Sequence, residues 1–140
     1  MSQANVYLQF DGNAHEAMNF YQNALGGQLE LQKVKESPMA TQMPEDVQDQ
    51  VLHGSLSSNG IFIMGSDMCG MGTMENGNSV QICINCDSEE EINRFFKNLS
   101  TNATVKEPLA AAPWGAIFGM LTDQFGKHWM FNYQQGTENS

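Results

Sequence analysis

Basic residues are scarce in this sequence: 6 Lys and Arg stand against 16 Asp and Glu, for a net charge of -10. No stretch gathers those few cations into a stripe that follows phosphates, which argues against nucleic acid and against an anionic membrane as partners. No run approaches the ~18–20 apolar residues of a membrane span, and MSQANVYLQFDG at the start has neither a basic region nor a long apolar core. The expectation is a soluble, cytoplasmic protein. Cysteine is short too, and its odd count of 3 (Cys69, Cys83, Cys86) suits a reducing compartment better than a disulfide framework. The chain has no G-x-S-x-G, no Gly-rich phosphate loop and no H-E-x-x-H.

Methionine, by contrast, is plentiful at 10 residues. Met64, Met68, Met71 and Met74 surround Cys69 in MGSDMCGMGTMENG, and thiolate with thioether is the ligand set that selects Cu(I). Cys83 and Cys86 add a C-I-N-C. That motif lies in SVQICINCD, which alternates like a strand, and residues three apart on a strand point to opposite faces. With no second pair to complete a zinc site, both are expected to be buried structural thiols.

At 140 residues and 41% hydrophobic the chain builds one domain, or two small halves fused along an interface. VYLQF alternates from Val6 to Phe10 and predicts a half-buried strand. Asn13 then opens a capping box with Glu16, and Ala17, Phe20, Tyr21, Ala24 and Leu25 follow at helical spacing up to Gly26-Gly27. GQLELQKVK alternates again, residues 36–50 form a polar loop, and VLHGSLSS meets IFIMGSD across Asn59-Gly60, a strong hairpin signal. The order then repeats. SVQICINCD is followed by a second capping box (Ser88, Glu91), a helix with Ile92, Phe95, Phe96 and Leu99 on one face, and strands in ATVKEPL, WGAIFGMLTD and HWMFNYQ.

NFYQNAL and RFFKNLS carry the same aromatic pair followed by Asn at matching places in the two helices. The prediction is an α+β chain of two tandem β-α-β-β-β modules whose curved sheets surround a cleft. Module 1 spans 5–67, a connector 68–78, module 2 79–134 and a frayed tail 135–140. The Met-rich stretch is then a flexible joint, with Met68, Met71 and Met74 as an adaptable apolar lip.

Sheets with helices on one face turn their apolar positions toward them, which fixes the other face. Val6, Leu8, Phe10, Leu52, Leu56, Ile61, Ile63, Val80, Ile82, Ile84, Trp129, Phe131 and Tyr133 go to the helices. Left over are Asn5, Tyr7, Gln9, His53, Ser55, Phe62, Met64, Gln81, Cys83, Asn85, His128, Met130 and Asn132. That surface is polar and almost uncharged.

The paired modules, with YLQFDGNAHEAMNFYQNALGG, HGSL followed by NGIFIMGSD, and WGAIFGMLTDQFGKHWMFN, resemble the vicinal oxygen chelate (glyoxalase/bleomycin resistance/dioxygenase) superfamily. Within it they are most similar to the PhnB-like, demethylubiquinone methyltransferase-like branch. The resemblance implies a homodimer. It also implies metal-ligand positions at Asn5, Met64, Gln81 and Met130. None of these is a His or carboxylate, so no metal and no cofactor is expected. A methyltransferase with a nucleotide-like cofactor needs a Gly-rich strand-to-helix turn, and here that turn is D-G-N-A.

His53 is the candidate for acid-base work, against a hydrogen-bonded structural role. Asn5, Tyr7, Gln9, Met64, Gln81, Met130 and Asn132 are candidate ligand contacts, with mutual hydrogen bonding as the alternative. Trp114, placed at the start of a late strand, is an aromatic wall or a packing residue. His15 is expected in solvent, and His128, beside the final turn, at a rim or a catalytic position. Glu45, Asp46 and Asp49 lack the spacing of a Ca²⁺ loop and read as solvated.

The reading is a metal-independent protein that binds an as yet unknown small molecule. The alternative is a divalent-metal enzyme of glyoxalase or dioxygenase type with altered ligands, in which His53 serves as ligand or base.

Overall fold

A computed structural model describes residues 2–135; the rest of the expected tail, residues 136–140, lies outside them. The chain divides into two compact units between Glu75 and Asn76. Each contains one helix and a four-stranded sheet, so the duplicated β-α-β-β-β pattern is present. Among the described residues no helix is long and apolar enough to cross a membrane.

In the first unit β1 (Val6–Phe10) leads to α1 (Ala14–Leu25), β2 (Gln28–Lys33), β3 (Val51–Ser58) and β4 (Ile61–Asp67). The sheet order is β1-β4-β3-β2, with β1 parallel to β4 and the other pairs antiparallel. The β3–β4 turn has positive φ at Asn59 (42°) and Gly60 (89°), as an Asn-Gly hairpin requires. Helix α1 buries Ala14, Ala17, Met18, Tyr21, Ala24 and Leu25. They meet a sheet face whose buried residues include Phe10, Leu56 and Ile63. Each large side chain so buried contributes roughly 1.5–3 kcal/mol. Gly54 pairs with Gly65 beneath the helix. A Cβ on Gly65 would stand 3.1 Å from Met18 Sδ, so the helix can sit this close only over glycine.

Several details differ from expectation. Asn13 is the N-cap residue of α1, but its side chain makes no cap bond. The carboxylate of Asp67 does that work: Oδ1 accepts from Gly12 N (2.8 Å) and Ala14 N (2.9 Å), and Oδ2 from Val51 N (2.8 Å). A charged acceptor takes amides more strongly than a neutral amide side chain does. Strand β2 stops at Lys33 because the chain turns into a 3-10 helix over Val34–Glu36. The polar loop holds two more such turns, Ala40–Gln42 and Glu45–Val47. Phe20 is half-buried rather than core, with its ring edge-on to Tyr21 at 5.9 Å. The expected acidic loop is exposed, and Asp49 pairs with Lys35 at 2.7 Å.

The second unit runs β5 (Ile82–Asn85), α2 (Glu89–Leu99), β6 (Thr104–Ala111), β7 (Ala116–Thr122) and β8 (His128–Gln134), in sheet order β5-β8-β7-β6. Ser88 Oγ accepts from Glu91 N at 3.1 Å, and the Glu91 carboxylate accepts from Asp87 N at 2.8 Å, a near-complete capping box. Ile92, Phe95, Phe96 and Leu99 are buried on the expected stripe. Phe96 meets Phe131 edge-on at 5.5 Å, and Phe131 stacks on Trp129 at 6.3 Å. Asp123 organises the β7–β8 turn, accepting from Phe125 N, Lys127 N and the buried Trp129 Nε1. The strand expected from Ser79 begins only at Ile82, where pairing with β8 starts. Val80, unpaired with any strand, is therefore 76% exposed and not part of the core.

Candidate functional site

Register decides which side chains share a face, and in each sheet the face away from the helix collects the candidate residues. In the first sheet Tyr7 pairs with Met64, Met64 with Ser55, and Ser55 with Glu30, giving one row across four strands. The neighbouring row holds Gln9, paired with Ser66, and His53, paired with Gln32. Tyr7, though 46% exposed, is fixed: its Oη donates to Ser66 Oγ at 3.1 Å, and its ring centroid lies 6.1 Å from that of His53. Tyr7, His53 and Ser66 thus form a cluster of two hydroxyls and an imidazole. Such groups bind and orient neutral polar atoms. Asn5 precedes β1, is exposed, and accepts from Gln3 Nε2 at 3.1 Å.

In the second sheet one row runs Cys83, Met130, Met120 and Glu107, and the next Asn85, Asn132, Phe118 and Ala110. Asn132 Nδ2 donates to Asn85 Oδ1 at 3.3 Å. Gln81 lies just before β5, and its Oε1 is buried with no hydrogen-bond partner. A buried acceptor in that state costs on the order of 1–3 kcal/mol. Trp114 is not at a strand start. It occupies the turn before β7, is 58% exposed, and stands edge-on to Phe118 at 5.6 Å.

His128 is committed elsewhere. Its Nε2 contacts the Gly77 carbonyl at 2.7 Å and its Nδ1 the Thr122 hydroxyl at 2.9 Å. A carbonyl only accepts, so Nε2 carries the proton and, in the neutral ring, Nδ1 accepts from Thr122. Nε2 thereby ties residue 77 to the start of β8, and Nδ1 ties that start to the end of β7. His15 is exposed, as expected.

The cysteines separate. Cys86 is buried, and its thiol is pushed up to about 12 by burial, then by the nearby Glu91 and Asp87. Cys83 is exposed, contrary to expectation, because its place in the register puts it on the helix-free face; desolvation still raises its thiol. Cys69 is buried with Val34 and Val47, against Met43 and Leu52, in a small satellite core. Burial, and secondarily Asp67, raises its thiol, so it behaves as a small hydrophobe. The Met-rich stretch is therefore not a sulfur cage: Met71 is 78% exposed while Cys69 points into packing.

Ser66, Phe118 and Met120 join these faces although only alternation signals them in the sequence. Continuing the Phe62, Met64 parity by one step reaches Ser66. Setting Gly119 toward α2 places Phe118 and Met120 on the other face, and a Cβ on Gly119 would indeed stand 2.8 Å from Phe96 Cε2.

The four metal positions implied by the resemblance present two amides (Asn5, Gln81) and two thioethers (Met64, Met130), which do not fit a hard or borderline divalent ion. Among the described residues no group of three or more His, Cys, Asp and Glu side chains is placed to hold a metal.

A family model described as 3-demethylubiquinone-9 3-methyltransferase matches residues 2–131. Protein YjdN of Escherichia coli is 30% identical over 147 residues, covering 94% of this chain and 97% of that protein. The crystal structure of protein PA1353 from Pseudomonas aeruginosa is 36% identical with a TM-score of 0.86, over 96% of this chain and 98% of that one. The fold is shared with a glyoxalase/bleomycin resistance protein/dioxygenase domain from Frankia, at 10% identity and a TM-score of 0.68, over 98% of this chain and 94% of that one. Near-complete coverage by the family model and by these relatives shows that the chain belongs to the family described as 3-demethylubiquinone-9 3-methyltransferase, with the fold of the glyoxalase/bleomycin resistance protein/dioxygenase domain.

Proposed function

We propose that this chain is a small-molecule-binding protein that works without a divalent metal ion, taking a ligand on the helix-free face of a sheet. The observation that carries this reading is the chemistry of those faces. Tyr7, Ser66, His53, Asn85 and Asn132 offer neutral hydrogen-bonding groups, Met64, Phe118 and Trp114 offer apolar ones, and the family's metal positions hold amides and thioethers. Neutral donors and acceptors set in apolar surroundings are the usual makeup of a small-ligand site.

The methyltransferase description supplies no activity to this reading. Strand β1 passes to α1 through Asp11-Gly12-Asn13, and each sheet is mostly antiparallel, unlike the doubly wound sheet that cradles a nucleotide cofactor. The homodimer implied by the resemblance belongs to the proposal, and light scattering reads it directly.

Backbone amide NMR against a library of small uncharged molecules tests the reading. Shifts are expected at Tyr7, His53 and Ser66 for a ligand on the first sheet, where Tyr7→Phe weakens a hit about tenfold, or at Met130 and Asn132 for one on the second, where Asn132→Ala does the same, near 1.4 kcal/mol. Hits whose shifts map to the outer surfaces of α1 and α2, or that bind only when a divalent ion is added, would contradict it.

A further inference from the structure

Three sulfur-bearing residues separated in sequence stand side by side in the second sheet. Cys83 is registered opposite Met130, and Met130 opposite Met120, so the three fill adjacent places in one row. They share the helix-free face, since their strand neighbours Ile84, Leu121, Trp129 and Phe131 are buried on the other. The antiparallel Met120–Met130 pair holds its Cβ atoms about 4.5–5.5 Å apart, and across the parallel Cys83–Met130 pair methionine's three flexible torsions carry a thioether toward the thiol. The row is reachable from solvent: Cys83 is exposed and both methionines are only half-buried. The corresponding row of the first sheet, Tyr7, Met64 and Ser55, has a single sulfur, so the feature belongs to the second unit alone.

We propose that Cys83, Met120 and Met130 form a three-sulfur site for a soft monovalent cation, Cu(I). One thiolate and two thioethers match the preference of Cu(I) for sulfur donors at low coordination number. The same set is poor for zinc, whose structural sites use four thiolate or imidazole ligands, and poor for the hard divalent ions excluded above.

Binding is an exchange with no redox step. The Cys83 Sγ–H bond breaks, its proton passes to solvent, and the Sγ–Cu bond forms; each methionine donates a sulfur lone pair, and copper enters and stays as Cu(I). One positive charge meets one thiolate, so the occupied site is neutral. Cys86 does not compete, being buried behind the sheet with its thiol at about 12. The site does not depend on the small-molecule reading, since a chain without that ligand would still hold the sulfur row.

The test titrates the full chain, anaerobically and reduced, with Cu(I) against bicinchoninate as a competing chromophore, and repeats the stoichiometry with Ag(I), a redox-inert soft cation. One equivalent per chain is expected to leave the chelator. Cys83→Ser, which retains Cys69 and Cys86, should weaken binding about a hundredfold or more, and Met120→Leu and Met130→Leu about tenfold each. Met-to-Leu swaps conserve volume, and thermal melts establish that each variant is folded. Methyl NMR with Ag(I) should move Met120 and Met130 and leave Met71 in place. Failure of the wild-type chain to withdraw Cu(I), binding that survives Cys83→Ser, or binding indifferent to both methionine substitutions would overturn the proposal.

Discussion

The carboxylate that caps α1 stands 53 residues beyond Ala14, which is why the sequence pointed to Asn13 and Glu16 instead. A capping box is a local pattern and can be read from neighbours. Asp67 reaches the helix only because β1 and β4 pair so that Phe10 lies beside it. The cysteines teach the same lesson. Alternation placed Cys83 on the helix-free face and Cys86 on the other, yet both were expected to be buried; the structure exposes Cys83 and buries Cys86. The consequence is a reactivity ladder. Iodoacetamide at pH 8 should label Cys83 slowly and leave Cys69 and Cys86 untouched until the chain unfolds, as read by peptide mass; prompt labelling of Cys86 in the native protein would be the contrary result. The Cys86 thiol is raised in the folded state, so its contribution to stability is fully present below the ordinary thiol value of 9.0 and is lost as pH climbs toward about 12.

Among the elements, the period-2 runs and the Asn59-Gly60 turn were readable because each encodes its own geometry. Strand ends were less so. Ser79 to Gln81 continue the alternation of β5 yet find no strand to pair with, so alternation overran the ladder by three residues. The glycines beneath the helices were invisible in the pattern, since a missing side chain carries no periodicity. Gly54 and Gly119 occupy matching places in β3 and β7, each followed by a residue of the methionine row, Ser55 and Met120. Gly119→Ala would press a methyl to 2.8 Å from both Phe96 and Leu109. It should destabilise the protein by about 1–3 kcal/mol in denaturant titration; an unchanged midpoint would mean that α2 does not rest on this glycine.

For the whole molecule, duplication was legible from two similar helices and a repeated element order, and the family followed from the same stretches. The composition of the helix-free faces was also largely legible, because alternation assigns a side chain to a face without knowing its neighbours. What alternation cannot say is which residues of a face touch. The Tyr7–Ser66 hydrogen bond, the commitment of both His128 nitrogens and the row of three sulfurs each depend on which strands lie side by side and in what register.

The central proposal is that this chain has the fold of the glyoxalase/bleomycin resistance protein/dioxygenase domain and works without a divalent metal ion. Melting the purified chain with and without Ni²⁺, Zn²⁺, Mn²⁺ or Fe²⁺, alongside elemental analysis for the same metals, tests it most directly. The account predicts no stoichiometric divalent ion and no rise in Tm with any of the four. One tightly held equivalent that stabilises the fold and disappears in His53→Ala would contradict it.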